Sequence, residues 1–197
     1  MFDFSKEDVN GNNSNISIFN NGEAGVVKNV TINVEKLGVE YENVEGKKLP
    51  HYRLVFTDSN GGKTNEGFYY LDKETHNPQY REFDEEVKRQ WRKLAHIVEQ
   101  AGGEPIQSGE NAKALLDVMA KQVKEITNGK TFNVFANYGH ANNPKKYIQV
   151  RTWIPFVELS DNAESILKKT NIDQIERLVP DSETSTSGGT TSGGWTE

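Results

Sequence analysis

The chain has 197 residues, no cysteine, 34% hydrophobic residues and a net charge of -6, a length that suits one domain burying roughly 70% of its unfolded surface. The lack of cysteine excludes a disulfide framework and a thiolate zinc site, and no apolar run approaches the roughly 20 residues that span a bilayer. Charge is unevenly spread: residues 1–157 carry 20 basic and 21 acidic side chains, whereas residues 158–197 carry three and eight.

Residues 1–25 are rich in turn-forming Asn, Gly and Ser, with a short apolar clip at Ile16, Ile18 and Phe19, and are expected to form a flexible arm. The start, Met1-Phe2-Asp3-Phe4-Ser5-Lys6-Glu7, lacks a basic region followed by an apolar core, so a reducing cytoplasm is the expected compartment. Three Asn-x-Ser/Thr triplets, at Asn12, Asn15 and Asn29, carry no weight without a secretory route. Residues 26–34 predict a strand in which Val26, Val30, Ile32 and Val34 face one way after a slip near Val27, with a bulge and a continuation toward Tyr41. Tyr52, Leu54 and Phe56 on one face, a turn at residues 58–62 and the run from Phe68 to Leu71 predict a hairpin, because Asn60-Gly61 supplies the positive φ of a tight turn. That loop is not a calcium site: it lacks an acid at its fifth place (Gly62), glycine at the sixth (Lys63) and Glu at the twelfth (Tyr69).

Asp84 is the expected N-cap of a helix with Val87, Trp91, Leu94, Ala95 and Val98 inward, Lys88, Arg89, Arg92 and Lys93 outward, and a stop at Gly102-Gly103. A second helix is expected between a Ser108 cap and Asn128-Gly129, with Leu115, Met119, Val123 and Ile126 on its apolar side. Two more strands follow, over residues 131–138 and 145–154. In the latter, Ile148, Val150 and Ile154 oppose a face of Lys145, Tyr147, Gln149, Arg151 and Trp153. Residues 159–181 are expected to hold a short helical extension. Residues 182–197 are Ser/Thr/Gly-rich without an aliphatic side chain, and predict a disordered acidic tail that displays Trp195 and Glu197 to a partner.

From Ile126 to Val157 there is no acidic side chain, yet Lys130, Lys145, Lys146 and Arg151 stand there beside Phe132, Phe135, Tyr138, Tyr147, Trp153 and Phe156. Cations that track phosphates, interleaved with rings on which bases stack, are what a single-stranded nucleic-acid groove needs. The same pattern also fits a hairpin whose aromatics are core and whose lysines keep an edge soluble. No chemistry competes with these readings. His51, His76, His96 and His140 are scattered, Glu40 and Glu42 share a strand face with nothing beside them for acid–base work, and no phosphate-loop, dinucleotide or nucleophile-elbow pattern occurs. No enzyme, metal or cofactor is expected.

The order strand, hairpin, helices, two strands matches an α+β, mainly β chain with an OB fold over residues 26–158. That fold is a five-stranded Greek-key barrel with its helices between the third and fourth strands. The stretches Asn133-Val134-Phe135-Ala136-Asn137-Tyr138-Gly139 and Pro144-Lys145-Lys146-Tyr147-Ile148-Gln149-Val150-Arg151-Thr152-Trp153-Ile154-Pro155-Phe156-Val157-Glu158 resemble the end of the OB domain in phage-type single-stranded-DNA-binding proteins. Tyr52-Arg53-Leu54-Val55-Phe56-Thr57-Asp58 and Phe68-Tyr69-Tyr70 resemble their earlier hairpin. The resemblance implies a protein that coats single-stranded DNA without sequence specificity during phage replication and recombination, in the host cytoplasm, with a tail that recruits replication proteins. The ending Gly194-Trp195-Thr196-Glu197 departs from the Ile-Pro-Phe ending of the bacterial form. With the strand-face argument, the resemblance implies Tyr147, Arg151 and Trp153 for base stacking and backbone contact, Lys130, Lys145 and Lys146 for phosphates, and Phe135 and Arg53 as further contacts. The competing expectation is a virion assembly protein whose aromatic strand face packs against a neighbouring subunit.

Overall fold

The computed structural model describes residues 17–37, 50–74, 76–79 and 81–178. Among these residues, six strands form one antiparallel sheet: β1 (Gly25–Lys36), β2 (Tyr52–Thr57), β3 (Lys63–Phe68), β4 (Phe132–His140), β5 (Asn143–Val150) and β6 (Val157–Leu159). Their order is β3-β2-β1-β4-β5, with β6 also on β4. Two helices, α1 (Phe83–Gln100) and α2 (Ala112–Thr127), stand between β3 and β4 in the chain.

β1 serves two halves of the sheet. Its first half pairs with β4 from Gly25↔Ala136 to Val30↔Phe132, and its second half pairs with β2 from Thr31↔Thr57 to Lys36↔Tyr52. The changeover is a bulge between Val27 and Val30, where Asn29 takes a φ of 57°, a left-handed conformation that Asn tolerates better than most residues. The extra residue shifts the alternation. Val27, Val30, Ile32 and Val34 are buried and Val26 is exposed, so the slip lies where the sequence places it but Val27 points inward in Val26's place.

The hairpin β2–β3 places Tyr52, Leu54 and Phe56 in the core. Its turn is tied by the buried Asp58 carboxylate, which accepts the N–H groups of Asn60 (2.8 Å), Gly62 (2.9 Å) and Asn20 (2.7 Å). Gly62 is required there, since a Cβ would stand 2.6 Å from Asp58 Oδ2 and 2.7 Å from the Ile18 carbonyl. The short 3-10 turn Phe19–Gly22 is thus pinned to the hairpin, and its Phe19 side chain is core.

α1 buries Leu94, Ala95, Ile97 and Val98 and packs on β6 and α2; α2 buries Leu116, Met119, Ala120 and Val123 and packs on β1. Burial of each large apolar side chain stabilises by about 1.5–3 kcal/mol, so these stripes fix both helices to the sheet. The starts differ from the sequence expectation. Glu82 is the N-cap of α1 and makes no side-chain cap bond, which leaves Asp84 with Glu85 and Glu86 in the positive first turn; Asn111 caps α2 in place of Ser108, accepting the Ala114 N–H at 2.9 Å.

Residues 160–178 form no helix, contrary to the expected extension. Their hydrogen-bonding groups are taken by the sheet and its neighbours: Tyr138 N–H donates to the Gln174 carbonyl (2.7 Å), Gln174 N–H to Gly139 (3.0 Å) and Ala141 N–H to Ile172 (2.9 Å). The buried Glu158 carboxylate accepts the Ile166 N–H (2.8 Å) and the Ser165 hydroxyl (2.7 Å). These tertiary bonds displace an i to i-4 ladder that apolar spacing alone would favour. The segment is an irregular strap along β4, anchored by the buried Leu167.

The sheet curls until its two end strands approach each other. β3 and β5 face across a small gap lined by Glu66 and Phe68 from one side and Val150 from the other. No helix among the described residues is long and apolar enough to cross a membrane.

Candidate nucleic-acid interface

The alternation of β5 sets the first half of the site. Ile148 and Val150 are buried, while Lys145, Lys146 and Tyr147 are exposed, with Tyr147 69% accessible. Lys146 Nζ lies 5.6 Å from the centre of the Tyr147 ring. The ring borders a groove of about 590 Å³ whose other walls come from the start of β3 (Lys63, Thr64, Asn65), the Phe19–Gly22 turn and Arg177 of the strap. Among the described residues, three cations, Lys63, Lys146 and Arg177, line this groove and no carboxylate does. The turn wall is held in place by the Tyr138 hydroxyl, which donates to the Gly22 carbonyl at 2.5 Å.

The alternation ends with β5, and this relocates Arg151. Its guanidinium is 1% exposed, forms an ion pair with Asp173 at 3.1 Å, donates to the Lys168 carbonyl at 2.9 Å and to the Pro155 carbonyl, and lies over the Phe135 ring at 4.4 Å. Arg151 is therefore not on the open face with Tyr147, and phosphate contact by it is corrected: every direction in which it could reach a strand is filled by the protein. Phe135, 3% exposed beneath it, is likewise core and not a stacking platform. Burial pushes the Asp173 carboxyl up, but the Thr170 N–H and hydroxyl, Asn137 and Arg151 together hold it below the ordinary aspartate range.

Lys130 is half-buried and donates to the Ala101 carbonyl at 2.7 Å, where a cation meets the negative end of α1; it stands apart from the groove. Arg53 is half-buried on the outer face of β2, and its Nε is buried without an acceptor among the described residues. Trp153 is half-buried, with ring contacts to His140 (5.7 Å) and Arg151 (6.0 Å), and borders a different cleft beside α1. Of the expected site residues, the structure brings Lys146 and Tyr147 into one groove, with Lys145 exposed beside them on β5. Trp195 and Glu197 lie outside the described residues.

Sequence reading misses Lys63 and Arg177 as groove walls. Lys63 is visible only as the residue after the hairpin turn, and Arg177 has no local signal at all. It also misses a polar cluster on the far side, where the Asp117 carboxylate accepts hydrogen bonds from the Tyr52 and Tyr70 hydroxyls and pairs with Lys36 at 3.6 Å. Burial and the bond to Asp117 push the Tyr52 hydroxyl up to about 12 and raise that of Tyr70 as well, so both phenols remain protonated donors that hold the carboxylate. Among the described residues, no group of three or more His, Cys, Asp or Glu side chains is arranged to hold a metal ion.

Comparison with protein-family models, curated proteins and solved structures returns no match.

Proposed function

We propose that this chain binds single-stranded DNA without sequence specificity, in the groove between the start of β3 and β5, as a non-enzymatic protein of phage DNA replication and recombination acting in the host cytoplasm. The observation that carries the reading is the exposed Tyr147 ring, next to Lys146, on a groove lined by Lys63, Lys146 and Arg177 and, among the described residues, by no carboxylate. A single exposed ring is ordinary on a protein surface. A ring among cations in a groove whose described residues include no carboxylate, on a chain of net charge -6, has the two elements that bind a single strand: a stacking face and a field that follows phosphates.

The strand order, the long bulged β1 shared between two half-sheets and the helices between β3 and β4 support reading the fold as an OB barrel with Greek-key connections and an added β6. On this reading the Ser/Thr/Gly-rich tail beyond residue 181 offers Trp195 and Glu197 to replication proteins.

Tyr147→Ala tests the assignment. Affinity for a labelled oligonucleotide is expected to fall by about 1–3 kcal/mol, the worth of one stacked base, with the melting temperature nearly unchanged because the ring is exposed. Unchanged affinity accompanied by a change in sedimentation would place Tyr147 at a contact between subunits and favour an assembly protein.

A further inference from the structure

The seam between β3 and β5 has a groove at each end, and only one of them is used above. The second, about 530 Å³, lies between α1 and the segment that follows β5; Arg81, Arg89 and Arg92 form one side, and Thr152, Trp153 and Ile154 the other. Its cations are not equivalent. Arg81 and Arg89 are both paired with Glu86, and Lys93 is buried against Glu66. Arg92 is exposed and has no ion-pair partner among the described residues, while Glu85, the carboxylate bordering the cleft, is paired with Lys88. A guanidinium without an ion pair, though within electrostatic reach of Glu85, therefore lines the same cleft as a half-buried indole and the exposed Ile154 side chain.

Between the two grooves, the seam presents Glu66, whose charge is compensated by Lys93. A polyanion crossing it meets no unpaired carboxylate there. Tyr147 and Trp153 are six residues apart, which the chain spans in at most about 20 Å, a distance within the reach of the roughly 4–16 nucleotides that one such domain covers. We propose that a strand seated at Tyr147 continues along the seam into this cleft, where Arg92 takes a phosphate and the Trp153 ring meets a base. The proposal rests on the single-stranded-DNA reading above and adds a second subsite supplied by α1, on whose outer face the sequence places Arg92.

The test compares labelled oligothymidylates of about 5 and about 15 nucleotides, bracketing the range for one domain, on the full chain and on its Arg92→Glu and Arg92→Gln variants. Wild type is expected to bind the longer oligonucleotide at least tenfold more tightly, and Arg92→Glu to remove most of that advantage while changing the shorter one less than twofold. Arg92→Gln should lower the slope of log affinity against log salt by about 0.7 for the longer oligonucleotide alone. If wild type binds and neither variant changes the dependence on length, or both lengths lose affinity equally, the second subsite is overturned and the Tyr147 groove stands. If wild type binds neither oligonucleotide, both readings fall.

Discussion

Tyr147 and Arg151 stand four residues apart in the same acid-free stretch, and they illustrate two fates for similar sequence. Tyr147, with Lys145 and Lys146, faces water at the edge of an open groove; Arg151 is sealed beneath the strap by Asp173, the Lys168 and Pro155 carbonyls and the Phe135 ring. A carboxylate outside the stretch makes the difference. A window without acids shows that no local partner exists for its cations, but a segment folding back from 22 residues away still supplies one. Availability of a charge is decided by tertiary contacts, and here Lys145 and Lys146 are exposed while Arg151, and Lys130 with its bond to the Ala101 carbonyl, are not available.

The comparison breaks most visibly if the buried side is disturbed. Asp173→Ala leaves the Arg151 guanidinium buried and uncompensated, so unfolding by urea should show a loss of about 3–5 kcal/mol, with oligonucleotide binding by the folded protein unchanged. A small stability loss together with weakened binding would return Arg151 to the interface. Because the Asp173 carboxyl is held below its ordinary value in the folded state, its stabilising effect is complete above the unfolded value of about 3.9 and is lost as pH falls through the depressed folded one.

His96 belongs to the same interior. Burial holds its imidazole neutral down to about 4, with a backbone bond at Val157 opposing and the Arg151 charge assisting, and its ring packs 5.2 Å from Phe156. Between about pH 6.5 and 4 the unfolded chain takes up a proton at this residue that the folded chain refuses, so stability should fall across that window by up to about 3 kcal/mol. The His96→Leu variant should lose this slope whatever its baseline stability. Persistence of the slope in the variant would assign it to another group. The exposed side responds in the opposite sense: Tyr147→Ala acts on binding by about 1–3 kcal/mol and not on the melting temperature.

What can be read from the sequence is what is locally determined. The hairpin is legible because Tyr52, Leu54 and Phe56 alternate up to Asn60-Gly61, and the bulge because the alternation slips where Asn29 sits. Both helices are legible from their buried stripes, although their caps are not: Ser108 and Asn111 are equally able acceptors, and only the geometry of Ala114 chooses Asn111. The strap is misread as helical because its apolar spacing carries no record of the carbonyls and N–H groups of β4 that bind it. For the site, Tyr147 follows from the β5 alternation. The opposite wall does not, since Lys63, Arg177 and the Phe19–Gly22 turn come from three separate parts of the chain.

The most direct measurement is the salt dependence of single-stranded oligonucleotide binding, made on wild type and on a Lys145→Gln/Lys146→Gln double variant. The expected result is saturable binding whose log affinity falls linearly with log salt, by about 0.7 per phosphate neutralised, and a slope shallower by about 1.4 in the double variant. No binding at low salt, or the same slope in both proteins, would contradict the assignment of the Tyr147 groove to a nucleic-acid strand.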